Sequence, residues 1–408
     1  MKNLIPLLLL GLLASCTSQK PTDNASLPVL NIAEDDYPTR KIDIHDIADV
    51  EYIALESSDS TLLGLSSYIY VSDKYIVSSD GPYGSNIYIF DHSGKFLWKF
   101  NRKGSGPGEF SKLWLAFVDF DAEECNVYDS PQKTLLTYSF QGEFKRSIPM
   151  LGTGTSYAAY PFYNKIAKYD STYVLGYDRA AAYFIHELPD QPLYYLISKK
   201  DGSRCPLNLK IKNGITDLVY NGKGERIGYI PHHSPILQNG NECWISELSC
   251  DTIYSLVGKE LVPVAVQNPS VHSTTPPLSI FPEGFTDYCL SFRVVSLFVD
   301  ENDPQRPFNE SESLIWNRVT NQLERWELYN SDIMSSDNST KFPMMSNGTT
   351  MKNCGISFYG PEGLMNLYKN DALKGELKEI ASRLREDDNN VIMHIRFNKE
   401  KILKKLSE

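Results

Sequence analysis

Asn86-Ile-Tyr-Ile-Phe-Asp-His-Ser-Gly94-Lys-Phe-Leu-Trp-Lys-Phe100 is the stretch that decides the fold. Two β-rich apolar runs flank a short polar stretch that ends on glycine, the residue that takes positive φ at little steric cost. The pattern recurs at Leu135 to Ile148 around Gly142 and at Leu193 to Leu209 around Gly202. It recurs again at Asp251 to Val264 around Gly258, and at Leu314 to Trp326 around Asn321. From turn to turn the steps are 48, 60, 56 and 63 residues. A period of this size marks a repeated supersecondary unit.

Further short β-like runs precede each hairpin, such as Trp114 to Phe120 and Asn126 to Tyr128 before the second. Four strands in about 50 to 60 residues is the size of one propeller blade. A lone sheet of this kind cannot cover both of its faces, and radial packing lets each sheet cover its neighbour. Val50 to Leu55 alternates like a strand without a hairpin partner, and so does Val391 to Phe397. Pairing these two would complete a last blade from both termini and leave no free edge. The expected fold is all-β: a six-bladed β-propeller closed by its N- and C-terminal strands. A helical segment, about 361–386, precedes the last strand. Leu373, Leu377, Ile380 and Leu384 place one apolar stripe on a helix expected over 371–385. Pro361 opens a shorter helix through Leu364 and Leu367.

Lys103-Gly-Ser-Gly-Pro-Gly-Glu-Phe110 leads from the first hairpin into the next strand. It resembles the G-x-G-P-G-E-[FY] loop of bacterial six-bladed β-propeller lipoproteins of the Bacteroidetes type, relatives of the NHL-repeat propellers. Val118-Asp-Phe, Asn126-Val-Tyr-Asp129 and the Gln141-Gly142 turn continue that pattern, as do Ile47 to Leu55 and the closing strand. The resemblance implies a propeller in the cell envelope and no particular activity.

The start of the chain carries its own address. Lys2 is followed by an apolar run from Ile5 to Leu13, too short for the roughly 20 residues that span a bilayer, so 1–15 is expected to be a signal peptide. Leu13-Ala14-Ser15-Cys16 is similar to a lipobox, which makes Cys16 the lipid-attachment residue and the membrane a partner through acyl chains such as palmitate. Polar, aperiodic sequence then gives a flexible tether over 16–40, and 41–408 forms the propeller domain. The expected location is the outer membrane, facing the periplasm. Six further cysteines show no metal-ligand spacing; they are read as buried thiols, with a cross-strand bridge between Cys243 and Cys250 as the other reading.

With 40 Lys+Arg against 51 Asp+Glu the net charge is −11, and no basic stripe is present, which excludes a nucleic-acid partner. The Gly104–Gly108 loop meets neither the Walker nor the dinucleotide spacing and leads into a strand, so it reads as a tight inter-blade loop. Arg102, Lys103 and Glu109 beside it are candidate binding residues for an anion at the propeller mouth. The adjacent His232 and His233, between Pro231 and Pro235, are candidates for binding or acid/base work. Neighbouring residues on a strand point to opposite faces, so both would meet one ion only in an irregular loop. Asp119, Asp121, Glu123 and Glu124 lack the glycine and glutamate of a calcium loop and read as a solvated turn. No nucleophile elbow occurs, and no catalytic residue is assigned. The functional reading is a scaffold for a glycan, peptide or protein. Calcium-dependent propeller enzymes of the lactonase or strictosidine-synthase kind are the first alternative, and a structural part of an outer-membrane complex is the second.

Overall fold

The structure, a computed structural model, describes residues 26–34, 36–64, 68–81, 84–152, 161–186, 190–211, 213–215, 218–220, 226–229, 234–297, 312–334, 339 and 351–407. Six sheets stand around a central axis as a six-bladed propeller. Blade I contains Tyr68–Val71, Tyr75–Ser79, Asn86–Asp91 and Phe96–Asn101, paired antiparallel in chain order. Blades II (115–149), III (163–206), IV (236–268) and V (278–329) repeat the four-strand order. A hairpin of Leu218–Tyr220 and Arg226–Tyr229 is inserted between blades III and IV. The first strand of blade III touches those of blades II and IV, which places the first strands around the axis. The last strands face outwards, and their alternate residues are exposed.

The expected closure is present. Val391–Phe397 pairs antiparallel with Ala48–Ala54, Val391 opposite Ala54 and Phe397 opposite Ala48. Cys354–Tyr359 completes blade VI from the other side. Each blade interface holds its own apolar core, and the interface between blades VI and I is one of them. There Ile53, Leu55, Ile356 and Ile392 pack against Ile69, Val71, Ile76, Tyr88 and Phe90. A ring with a core in every interface has no weak seam, and each buried Leu or Ile contributes about 2 kcal/mol over an exposed one.

Part of the segment expected as a tether is docked. Val29–Asn31 adds to the edge of blade IV and Thr39–Asp43 to that of blade V, both as parallel strands. Leu30, Ile32 and Tyr37 are buried against these blades. Edge strands offer unpaired backbone groups, and a few apolar anchors suffice to hold a polar chain on them. Residues 1–25, with the signal segment and Cys16, lie outside the described residues.

Pro361–Lys369 is helical as expected, but the second helix spans only Gly375–Ala381. Its expected first turn is extended instead. Leu373 bridges Ile333, and the Met334 and Lys374 N–H groups donate to Ala372 and Asp332 carbonyls. Leu377 is fully buried, and Ile380 and Leu384 pack beside it. A last helix, Lys399–Ser407, follows the closing strand and buries Ile402. All six described cysteines are free thiols, four of them buried.

Candidate functional site at the axial mouth

The turn between first and second strands lies at the same end of the propeller in every complete blade. These turns carry Ser72-Asp73-Lys74 in blade I, Phe120-Asp121-Ala122 in II, Tyr169-Asp170-Ser171 in III, Asn239-Gly240-Asn241 in IV and Thr286-Asp287-Tyr288 in V. Lys352-Asn353 takes the equivalent place before Cys354–Tyr359 of blade VI. Asp and Asn suit such turns because their side chains bond the backbone two or three residues on. Asp170, for example, accepts from the N–H groups of Thr172 and Tyr173.

Around the axis the turns of blades I, II, IV and VI, with Lys168 of blade III, enclose a depression of about 600 Å³, lined among others by Asp73, Tyr75, Phe120, Glu242 and Lys352. A second hollow of about 840 Å³ runs outwards between blades III and IV past Tyr169, Asp170 and Ser255. The two share Asp121, Lys168, Asn241 and Glu242, and so form one continuous surface.

Each lysine of this mouth has a carboxylate partner. Lys168 reaches from blade III to Asp119 (2.7 Å) and Asp121 (2.9 Å) of blade II. Burial alone would lower its ammonium group, but the two carboxylates prevail and hold it above the ordinary lysine range. Lys74 of blade I pairs with Glu123 of blade II at 2.8 Å. Lys352 pairs with Asp287 at 2.9 Å. Burial opposes the charge on Asp287, yet bonds from Lys352 and Asn353 hold its carboxyl below the usual range. Asn239 and Asn353 extend this network: the Asn353 N–H donates to Asn239 Oδ1 (2.6 Å), and the Asp287 N–H to Asn353 Oδ1 (2.9 Å). Blades IV, V and VI are thereby tied at the rim. Glu242 accepts from the Trp244 indole at 2.7 Å. Of the acids read as a solvated turn, Asp119, Asp121 and Glu123 thus pair with lysines of neighbouring blades, and Glu124 takes Arg146 of its own blade bidentately at 2.8 and 2.7 Å.

The residues singled out in the sequence lie elsewhere or beyond view. Arg102, Lys103 and Glu109 are absent from the lining of the mouth: they follow the last strand of blade I and lie against the outer hairpin of blade II. Glu109 accepts from the Gly106 N–H at 2.7 Å, Arg102 Nε donates to the Gly142 carbonyl at 2.8 Å, and Phe110 is buried. A Cβ on Gly104 would fall 1.9 Å from the Glu109 carboxylate, so the glycine makes room for this internal bond. Lys103 is exposed. His232 and His233 lie outside the described residues. Sequence reasoning passed over Lys168, Glu242, Asp287 and Lys352. The available signal was the Asp or Asn that follows each first strand.

Beside the mouth, Glu51, His92 and His394 bring their ligand atoms within 4.8 Å of one another. Burial first, with Arg396 adding to it, lowers the His394 pKa to about 4, so its ring is neutral at neutral pH.

The family model for a domain of unknown function, DUF4934, matches residues 27–396. The chain belongs to the DUF4934 family. The match spans the docked N-terminal strand through the closing strand, so the DUF4934 unit is the whole closed ring. No curated protein matches it. Among solved structures, the chain is similar to a Bacteroides fragilis protein described as exported, at 17% identity and TM-score 0.61, covering 92% of this chain and 100% of that one. A DUF4221 member from Bacteroides vulgatus follows at 10% identity and TM-score 0.47, covering 86% and 99%. Virginiamycin B lyase from Staphylococcus aureus stands at 12% identity and TM-score 0.37, covering 86% and 100%. The likeness to the first is one of fold. Among the described residues no helix is long and apolar enough to cross a membrane.

Proposed function

We propose that this DUF4934 protein is an envelope lipoprotein, held to the outer membrane through Cys16, whose axial mouth binds a polar ligand of low net charge, of the glycan class. The observation that carries the reading is the mouth itself. Turns from the surrounding blades converge on one continuous polar hollow in which each lysine already has a carboxylate partner. With its lysines already paired, such a surface offers directional hydrogen bonds rather than a free cation for an anionic ligand. Tyr75, Phe120 and Tyr169 add aromatic surface against which the C–H faces of a sugar ring can pack. The L-A-S-C sequence at 13–16 supports the anchor, and the fold shared with a protein described as exported agrees with a place outside the cytoplasm.

A glycan array probed with the 26–408 chain tests the binding reading. Hits should weaken at least tenfold in the double variant Tyr75→Ala/Tyr169→Ala and remain unchanged on adding calcium or a chelator. Hits that survive the double variant, or that require calcium with turnover of the glycan, would replace a passive scaffold with another site or with the enzyme reading. For the anchor, Cys16→Ser should move the protein from the membrane to the soluble fraction, and continued lipid labelling of that variant would refute it.

A further inference from the structure

Beside the mouth, the closure of the ring gathers three groups from three separate parts of the chain. Glu51 lies on the N-terminal strand of blade VI, His394 on the closing C-terminal strand, and His92 in the last hairpin turn of blade I. Glu51 Oε2 stands 2.9 Å from His92 Nε2 and 3.6 Å from His394 Nδ1. The His394 side chain is wholly buried, and neither of its ring nitrogens has a hydrogen-bond partner among the described residues. A buried imidazole with both nitrogens idle is uncommon, because such groups are nearly always satisfied.

His92 is oriented as a ligand would be. Its Nδ1 lies 2.6 Å from the Ser72 carbonyl and must donate there, since a carbonyl can only accept. In the neutral ring Nε2 then turns a lone pair towards the Glu51 carboxylate. This contact of 2.9 Å is one that a proton on Nε2 or a metal ion between the two groups would each satisfy. A carbonyl behind the distal nitrogen is also the usual support of a metal-bound histidine.

We propose that Glu51, His92 and His394 form a binding site for a divalent transition metal of the zinc type, which clasps the two ends of the chain to blade I. Two imidazoles and one carboxylate make a donor set suited to zinc and unsuited to calcium, which takes oxygen cages. Bond lengths of about 2.0 to 2.2 Å to each donor ask for donor separations of roughly 3.3 Å, so modest side-chain rotation closes the set around an ion. The charge is suitable. Arg396 lies 4.0 Å from Glu51, but Asp73 holds its guanidinium at 2.7 Å, and Glu51 brings a negative charge to the metal-bound form, in which both rings coordinate as neutral imidazoles. Access is provided on the Glu51 side, where 43% of that side chain is exposed, against none of His394. Water completes the coordination there.

The test uses the 26–408 chain without affinity histidines, stripped by a chelator and titrated with Zn(II), then with Co(II) as a spectroscopic probe. One equivalent should bind, raise the melting temperature, and give the intense visible bands of low-coordinate Co(II). His92→Gln should weaken binding at least tenfold and abolish the thermal shift. Glu51→Gln and His394→Asn should do the same. Absence of a tight equivalent in the unaltered chain would overturn the proposal, as would unaltered Zn(II) affinity in His92→Gln.

Discussion

Gly94, Gly142 and Gly202 meet two demands at once. Each turns its hairpin with positive φ (87°, 81° and 74°), and each lies against the outer strand of the preceding blade. A Cβ on Gly202 would stand 2.1 Å from the Pro149 carbonyl oxygen, and one on Gly94 would stand 2.3 Å from that of Ala54. Gly258 shares the positive φ (62°) but faces open space. Gly258→Ala should therefore cost only the left-handed backbone term of about 1 to 2 kcal/mol. Gly202→Ala should cost roughly 3 kcal/mol or more, because the blade contact must also open. Denaturant midpoints of the two variants measured side by side check this, and equal losses would refute the contact. The turn glycines were legible because positive φ has a residue signature. The neighbouring carbonyls were not, since they arrive from a different blade. Acid titration tests the rim. The Asp287 carboxyl is lower in the folded chain than its ordinary 3.8, so its pairing with Lys352 adds stability above that pH. The contribution should fade as pH drops below 3.8 and through the lower folded value. The difference in stability between the unaltered chain and Asp287→Asn should accordingly shrink across that window and stay level above pH 5.

Among the elements, loops and edges depart most from what sequence alone suggests. The Gly104–Phe110 loop was recognisable by motif, yet its Glu109 serves the loop itself. Glu109→Ala should loosen that loop at a cost of about 1 to 2 kcal/mol, while ligand binding at the mouth, whose lining does not include Glu109, stays unchanged in calorimetry. Altered affinity would show that the loop and the mouth are coupled. The Thr39–Asp43 strand was hidden in a polar stretch, because its hold on blade V comes from backbone pairing, one buried apolar side chain, Ile42, and a carboxylate that receives Arg40. Arg40 pairs at 3.0 Å with Glu324, which also accepts from Asn317 and Trp326. Arg40→Ala leaves that buried acid without its cation and should cost about 2 to 3 kcal/mol, reduced from the fully buried case because Arg40 is one-third exposed. Thermal unfolding of Arg40→Ala and of Arg40→Ala/Glu324→Gln should show the second change restoring part of the loss.

At the scale of the whole molecule, stability depends on a ring with a core in every interface, and closure joins residues more than 300 positions apart. Removing residues 26–54 should therefore expose the edges of blades IV, V and VI together and yield a chain that aggregates or unfolds in stages. A single cooperative transition at the original midpoint would refute this. The amino-acid sequence by itself determined the repeat, the positions of its turns, the number of blades and the two strands that close them. These follow from local propensity and periodicity, which every blade writes again in its own residues. Only the tertiary structure decided the site. Lys168 meets Asp119, Lys352 meets Asp287, and His394 meets Glu51 and His92 through side chains distant in the chain. Radial packing brings them together, and no local pattern encodes which turns will face one another across an axis.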